Sequence, residues 1–373
     1  MLDLHIPEWM KPVFERTGHP YYVWDELMKT PECLRTVLEN DAARAVRAAA
    51  DAVADANAVH LLGCGSSYFS AIAGAYAFNR LAGIPAAAHN AFEFTAYPPA
   101  GLAGTAVIGI SHTGGTAAVL DAIWRAESEG AVTVGLTDVD GSPLTAVARY
   151  VLPGGGGREK PLPKTRSFAV SLFKHFRLAV EVARRRGRDV SRLDSVLEQS
   201  PDVARRVLDE QTPVARRIAS GLRSDAAVFL FGAGPNVACA LDGALKLQEM
   251  VQASAHGLEL EEGMHGPWVA MEPGDLAVVY ALNGPGYEKA KRFVSALSAL
   301  GVDVWILTDE PNDMPDAAFV SRLPDVPELF SPLFSALPVY GFAYELALAR
   351  GIRPDSMRLT DERYLEVRLK LPR

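Results

Sequence analysis

The chain has 373 residues, 49% of them hydrophobic and 22% charged, a balance that excludes disorder or a fibre and fits a globular protein of two domains. A formal net charge of −8 leaves no basic surface for nucleic acid, so an anionic ligand has to be held locally. Cys33, Cys64 and Cys239 are scattered, with no C-x-x-C pair. That argues against a disulfide framework or a zinc site and points to the cytoplasm. Residues 1–14 lack the basic-then-apolar order of an export signal, and no run of about 18 uninterrupted apolar residues offers a membrane span.

Apolar positions recur at three and four in residues 22–28 and 34–50, so the chain opens on helices. From residue 58 short apolar runs alternate with long helical patterns. Strands are predicted at 59–62, 105–110, 132–136 and 150–152, which implies a parallel sheet covered on both faces. After a polar helical connection over 186–222 the alternation resumes, with strands at 226–231, 276–282, 302–307 and 319–323. The halves read as a duplicated fold. Their first strands end alike, in Gly63-Cys64-Gly65-Ser66-Ser67 and Gly232-Ala233-Gly234-Pro235-Asn236, each a G-x-G turn before a helix. Glycines there allow a tight turn and close approach of a ligand beyond the carboxyl ends of the strands. Neither copy has the third glycine of a dinucleotide fingerprint, and a Walker loop is missing, so a dinucleotide or nucleoside triphosphate is not expected. Gly154 to Gly157 follow a strand but precede no helix directly, and are read as a flexible turn.

Ser111-His112-Thr113-Gly114-Gly115-Thr116 follows the strand at 105–110 and opens a helical pattern over 116–130. Hydroxyls, glycines and a helix N-terminus converge there, a setting for a tetrahedral anion such as phosphate. In the second half Asp242, Lys246 and Glu249 share one helical face by their spacing of four and three. That spacing alone also describes a surface salt-bridge stripe. Downstream, Glu259-Leu260-Glu261-Glu262-Gly263-Met264-His265-Gly266-Pro267 puts a histidine in a loop beside acids. Carboxylate and imidazole together suit proton transfer near neutral pH, although a loop histidine also serves as a structural hydrogen-bonder.

These segments, with Thr165-Arg166-Ser167-Phe168 and the run from Ala240 to Glu249, resemble the sugar isomerase (SIS) domain family over residues 20–350. The arrangement is two domains in tandem, as in the isomerase half of glucosamine-6-phosphate synthase and its glutaminase-free relatives. The resemblance implies an α/β fold of two SIS domains, each a doubly wound five-stranded parallel sheet of flavodoxin-like order flanked by helices. The boundaries expected are a helical lead-in over 1–45, a phosphate-binding domain over 46–190, linker helices and a catalytic domain over 191–350, and a tail over 351–373.

By the same resemblance Ser111, Thr113 and Thr116 hold the sugar phosphate, and Ser66 and Ser67 contact the sugar. Cys64 and His112 stand in the same two loops and are counted with the substrate contacts. Glu249 falls on the glutamate that carries a proton between C1 and C2, and His265 on the ring-opening histidine, which such dimers take from the neighbouring subunit. Lys246 and Glu262 match further polar residues of the site. The second-half loop Leu282-Asn283-Gly284-Pro285-Gly286 lacks Ser and Thr, so one phosphate site per chain is expected. The implied activity is aldose–ketose isomerisation of a phosphorylated hexose or aminohexose, by a cytoplasmic homodimer with shared sites and with neither cofactor nor metal. No membrane partner is expected.

Three departures separate the chain from the synthase. Nothing in it resembles a cysteine-nucleophile glutaminase domain. The tail reads Arg358-Leu359-Thr360-Asp361-Glu362-Arg363-Tyr364 where the synthase has its imine-forming lysine, and Lys370 lies beyond that stretch. His112, Gly115 and Met264 replace a long amide, an acid and a lysine. Amino-sugar-phosphate deamination, deglycation of fructosamine phosphates and isomerisation of a sulfonated sugar are therefore the alternative reactions. A non-catalytic sugar-phosphate sensor is the alternative of another kind.

Overall fold

A computed structural model describes residues 8–371. It contains two five-stranded parallel sheets. In the first, β1 (Val59–Gly63), β2 (Ala86–Asn90), β3 (Ala106–Ile110), β4 (Val132–Leu136) and β5 (Tyr150–Leu152) lie in the order β2-β1-β3-β4-β5. In the second, β6 (Val228–Gly232), β7 (Ala255–Glu259), β8 (Leu276–Tyr280), β9 (Asp303–Thr308) and β10 (Phe319–Arg322) lie in the order β10-β9-β8-β6-β7. Relative to their own first strands the two orders are identical. Register follows suit: Val59 pairs with Ala86 and Ala106, and Val228 with Ala255 and Leu276.

Apolar runs without alternation make strands buried on both faces, and β3, β6 and β8 are buried throughout. Strands β2 and β7, AAAHN and AHGLE, each at one edge of its sheet, are half-exposed. They carry too little apolar content to announce themselves, so the expected four strands per half are joined by a fifth. The helix expected over 34–50 is two helices, Thr30–Leu38 and Asn40–Val53. The connection between the halves is one helix, Ser191–Gly221.

The largest apolar core runs between the sheets and joins both halves, through residues such as Leu61, Phe173, Leu230 and Tyr340. The helix Pro332–Ala349 is long and apolar enough by composition to cross a membrane, yet 89% of it is buried inside the fold. It packs chiefly on Ser191–Gly221 and Val237–Val251. The helix Ser66–Ala77, which leaves β1, lies against Val237–Val251, which follows β6. That contact brings the two G-x-G turns, and the side chains just behind them, to a common boundary.

Candidate active site

The hydroxyl loop forms as expected. Thr116 caps the helix Ala117–Ser128 in an extended conformation, and its Oγ1 lies 2.9 Å from Ser111 Oγ. Ser111 is buried, while Thr113 and Thr116 are partly open. The Ser111 and Thr116 hydroxyls thus meet at a helix N-terminus, a setting suited to an anion.

His112 is turned the other way. Its Nδ1 lies 2.9 Å from an Asp138 carboxylate oxygen and its Nε2 accepts the Glu159 amide at 3.0 Å. With one nitrogen accepting, the ring carries its proton on Nδ1, and both nitrogens are spent inside the fold. The histidine expected among the substrate contacts therefore positions the loop and offers no free nitrogen to a ligand.

Asp138 is the hub of a buried charge network. It takes Lys174 at 3.0 Å and lies 3.9 Å from Arg166, and Arg166 also pairs with Glu26 at 2.9 Å. The glycines of 154–157 are part of this network, since the Gly155 and Gly157 carbonyls accept from Arg166. They form an arginine cradle in place of the flexible turn expected, and no side chain fits at Gly155 because the Asp138 carboxylate lies where its Cβ would be. Glu159 closes the network. Its carboxylate accepts the Thr165 and Ser167 amides at 3.1 and 2.7 Å, at the start of the helix Arg166–Arg185. Burial alone would raise its pKa. The charges of Arg166 and Lys164, with the Ser167 amide, outweigh that and hold it at about 2.

On the helix Val237–Val251 the salt-bridge-stripe reading fails, because Asp242 and Lys246 are buried at 0% and 1% exposure. Lys246 Nζ lies 2.5 Å from Glu249 Oε2. Asp242 accepts the Tyr340 hydroxyl and faces Ser66 from the first half. Glu249 has its pKa raised by burial, and the Lys246 charge restrains that rise. Lys246 feels burial in the opposite direction, yet Glu249 and Asp242 hold its proton more firmly than usual. The outcome is a desolvated carboxylate beside a fixed ammonium, an arrangement suited to taking and returning a proton.

A cleft of about 430 Å³ opens on the hydroxyl loop, lined by Thr113, Gly115 and Thr116, by Arg158, Lys160 and Lys164, and by Met357 and Arg368 of the tail. Sequence reasoning found the hydroxyls and missed these cations, which come from segments remote in sequence. Lys164 is within electrostatic reach of both Glu249 and Lys246, so the cleft and the carboxylate pair are neighbours. Cys64 is half-buried beside the amides of Ala91 and Phe92, and burial raises its pKa. Ser67, behind it, is also half-buried. His265 is not brought to Glu249: its side chain is 68% exposed and bonds only Glu261, at 3.1 Å. Glu262 is exposed on the same short helix, Leu260–Met264. Among the described residues no group of three or more His, Cys, Asp or Glu side chains is placed to hold a metal.

Residues 52–173 match the family model of the SIS domain. That segment is a SIS domain. The SIS chain is 29% identical over 363 residues to the isomerizing glutamine–fructose-6-phosphate aminotransferase of Gloeobacter violaceus, an alignment covering 94% of this chain and 59% of that protein. It thus spans about three fifths of the curated relatives it matches. Among solved structures, the C-terminal domain of glucosamine-fructose-6-phosphate aminotransferase from Francisella tularensis superposes with a TM-score of 0.81 at 18% identity. That match covers 91% of this chain and 99% of that one. Glucosamine-6-phosphate deaminase from Thermotoga maritima gives 0.73 at 25% identity, covering 90% and 96%. The SIS chain is homologous to the isomerase half of the aminotransferase, and its two sheets match SIS-domain structures.

Proposed function

We propose that this SIS protein is an aldose–ketose isomerase of a phosphorylated hexose or aminohexose. The observation that carries the reading is the part-buried Lys246–Glu249 pair, with its carboxylate pKa raised, within electrostatic reach of Lys164 in the cleft that holds the hydroxyl loop. Ser111, Thr113 and Thr116 take the phosphate, supplying binding energy remote from the reacting carbons. Ser66 and Ser67 contact the sugar. Glu249 removes the proton from C2 or C1 of the open chain and returns it to the neighbouring carbon, while Lys246 keeps the carboxylate from being trapped as the acid. Arg158 and Lys160, which line the cleft, favour a dianionic phosphate over a singly charged sulfonate.

Ring opening falls to His265 in this reading. Its exposure and single bond to Glu261 suit a histidine that completes the site of a second copy, and we assign the working form as a homodimer. Exposed Phe92, Tyr97, Trp124, Trp268 and Val269 supply apolar surface for such an association.

Incubation with hexose 6-phosphates in deuterated water tests the reading: deuterium is expected at C1 or C2 of one of them. Binding without label in every case would instead make the protein a sensor. The likeness to a deaminase at 25% identity supports one second reading, in which the same proton transfer gives a C2 imine that water hydrolyses to the ketose and ammonia. Ammonia release from an aminohexose 6-phosphate distinguishes it.

A further inference from the structure

The tail lysine of the synthase is replaced here, yet the cleft holds a lysine with no part in the proton transfer between C1 and C2. Lys164 lines the same cleft as Thr113, Gly115 and Thr116. Its Nζ donates to the backbone carbonyls of Glu159, at 3.1 Å, and Pro161. These two bonds aim the head group and leave the third donor of an ammonium unassigned. Its electrostatic neighbours include Glu159, Arg158, Glu249 and Lys246. Lys164 forms no ion pair among the described residues, and the Glu159 carboxylate is occupied by the Thr165 and Ser167 amides. The charge of Lys246 is by contrast shared between Glu249 and Asp242. Of the two lysines near Glu249, Lys164 is therefore the one whose charge can be given to an incoming anion.

We propose that Lys164 is a catalytic residue that stabilises the oxyanion formed when Glu249 removes the carbon-bound proton. The inference rests on the isomerase reading and adds a residue to it. In the step, Glu249 takes the proton, and the electron pair of the C–H bond becomes the C1–C2 double bond. The carbonyl pair moves onto oxygen, and the resulting enediolate is neutralised by the Lys164 ammonium. The hydroxyl proton on the neighbouring oxygen passes to the former carbonyl oxygen, and return of the proton from Glu249 to the other carbon reverses the flow, so no oxidant or co-reactant enters. A fixed ammonium aimed at developing charge in a half-buried site costs no reorganisation during the reaction. Burial lowers the pKa of this amine, which favours giving its charge to a substrate over holding it alone.

The test compares two ligands by calorimetry. One is sorbitol 6-phosphate, which carries the phosphate without a reacting oxyanion. The other is the hydroxamate of 5-phosphoarabinonic acid, whose planar oxyanion copies the enediolate. The wild-type protein should prefer the hydroxamate. In Lys164→Gln that preference should fall by about 10- to 100-fold, the worth of a charge-assisted hydrogen bond, while sorbitol 6-phosphate binds as before. Lys164→Arg, which keeps the charge, should recover a good part of it, and it preserves the readout if the Gln variant fails to fold. Equal weakening of both ligands, no weakening of either, or no hydroxamate preference in the wild type would overturn the proposal. Absence of deuterium exchange alongside an intact Lys164-dependent preference would sink the isomerase reading and leave Lys164 as the oxyanion contact of another reaction.

Discussion

The two halves share one scaffold and differ in what they place at equivalent positions on it. Gly65 and Gly234, in the turns after β1 and β6, both hold positive φ, 55° and 54°, a conformation that glycine adopts freely. After the second strand of each half a side-chain oxygen caps a short helix: Asn90 bonds the Phe92 amide, and Glu259 the Glu262 amide. Divergence begins after the third strand. In the first half the loop presents Ser111, Thr113 and Thr116. In the second, the half-buried Glu328 carboxylate lies against Gly284, where a Cβ would displace it. Burial raises the Glu328 pKa and Asp309 adds to the rise. One half offers donors where the proposed function places an anion, and the other has put its own carboxylate at the matching place. The proposed proton transfer has the reverse division, with Glu249 and Lys246 on the helix after β6. In that proposal one site is assembled from complementary parts of two.

The strongest test of that division is Glu249→Gln. Loss of a general base costs about 10²- to 10⁴-fold, so deuterium exchange should fall by that factor while binding of sorbitol 6-phosphate persists. Undiminished exchange would remove the second half from the chemistry. The pH profile carries a sign as well. The acidic limb of kcat/KM should lie above the usual carboxylate range, because Glu249 has a raised pKa. Lys246→Met removes the charge that restrains this rise and should move the limb to higher pH. Coexpression of Glu249→Gln with His265→Asn asks where the histidine acts. With shared sites, half the dimers are mixed and each keeps one intact site, so about a quarter of wild-type activity returns. A histidine acting within its own chain restores none.

A smaller effect separates the halves by acid. The helix Arg166–Arg185 begins in the charged network around Glu159, whereas the corresponding helix Pro332–Ala349 begins in neutral bonds among Asn236, Ser331 and Ser335. Glu159 is held at about 2 from a normal 4.5. A carboxylate with a depressed folded pKa contributes stability above its unfolded pKa and loses it as pH falls through the folded one. That contribution is on the order of 3 kcal/mol, present above about pH 4.5 and gone near pH 2. Hydrogen exchange in this window should open residues 159–185 before residues 332–349. Glu159→Gln should lower the melting temperature at neutral pH and flatten its acid dependence. Equal protection of both segments down to pH 2 would contradict the asymmetry.

Much of the scaffold is legible in the amino-acid pattern. The strands at 132–136 and 150–152 stand where continuous apolar runs place them, because burial on both faces leaves that pattern. Strands β2 and β7 are illegible for the opposite reason: half-exposed edges need little apolar content. The hydroxyl loop can be read because a strand end, a glycine turn and a helix start are local features. The spacing of Asp242, Lys246 and Glu249 predicts a shared face and leaves its burial open, since burial depends on Tyr340 and Ser66, which are remote in sequence. The same holds for Glu159 and Lys164, whose roles arise only when a loop folds back over Ser111–Thr116. His112 shows the converse hazard. Its place in the loop suggests a ligand contact, and Asp138, 26 residues away, takes it instead.

The comparison is sharpened most by changing one polar group in each half. Ser111→Ala removes a hydroxyl from the cradle and leaves Thr116 Oγ1 without its partner at 2.9 Å. A hydrogen bond to a charged group is worth about 1.5–3 kcal/mol, so KM for a hexose phosphate should rise by roughly 10- to 100-fold, with kcat changed much less. Glu328→Gln removes a carboxylate from the matching place in the second half. If that place binds no phosphate, KM and kcat should stay at wild-type values. Because Glu328 has a raised pKa in the fold, its ionised form costs stability as pH rises through that value, and the Gln variant should be modestly more stable at neutral pH. A changed KM in Glu328→Gln would mean that both halves still meet the substrate's charge, and the division of labour between them would fail.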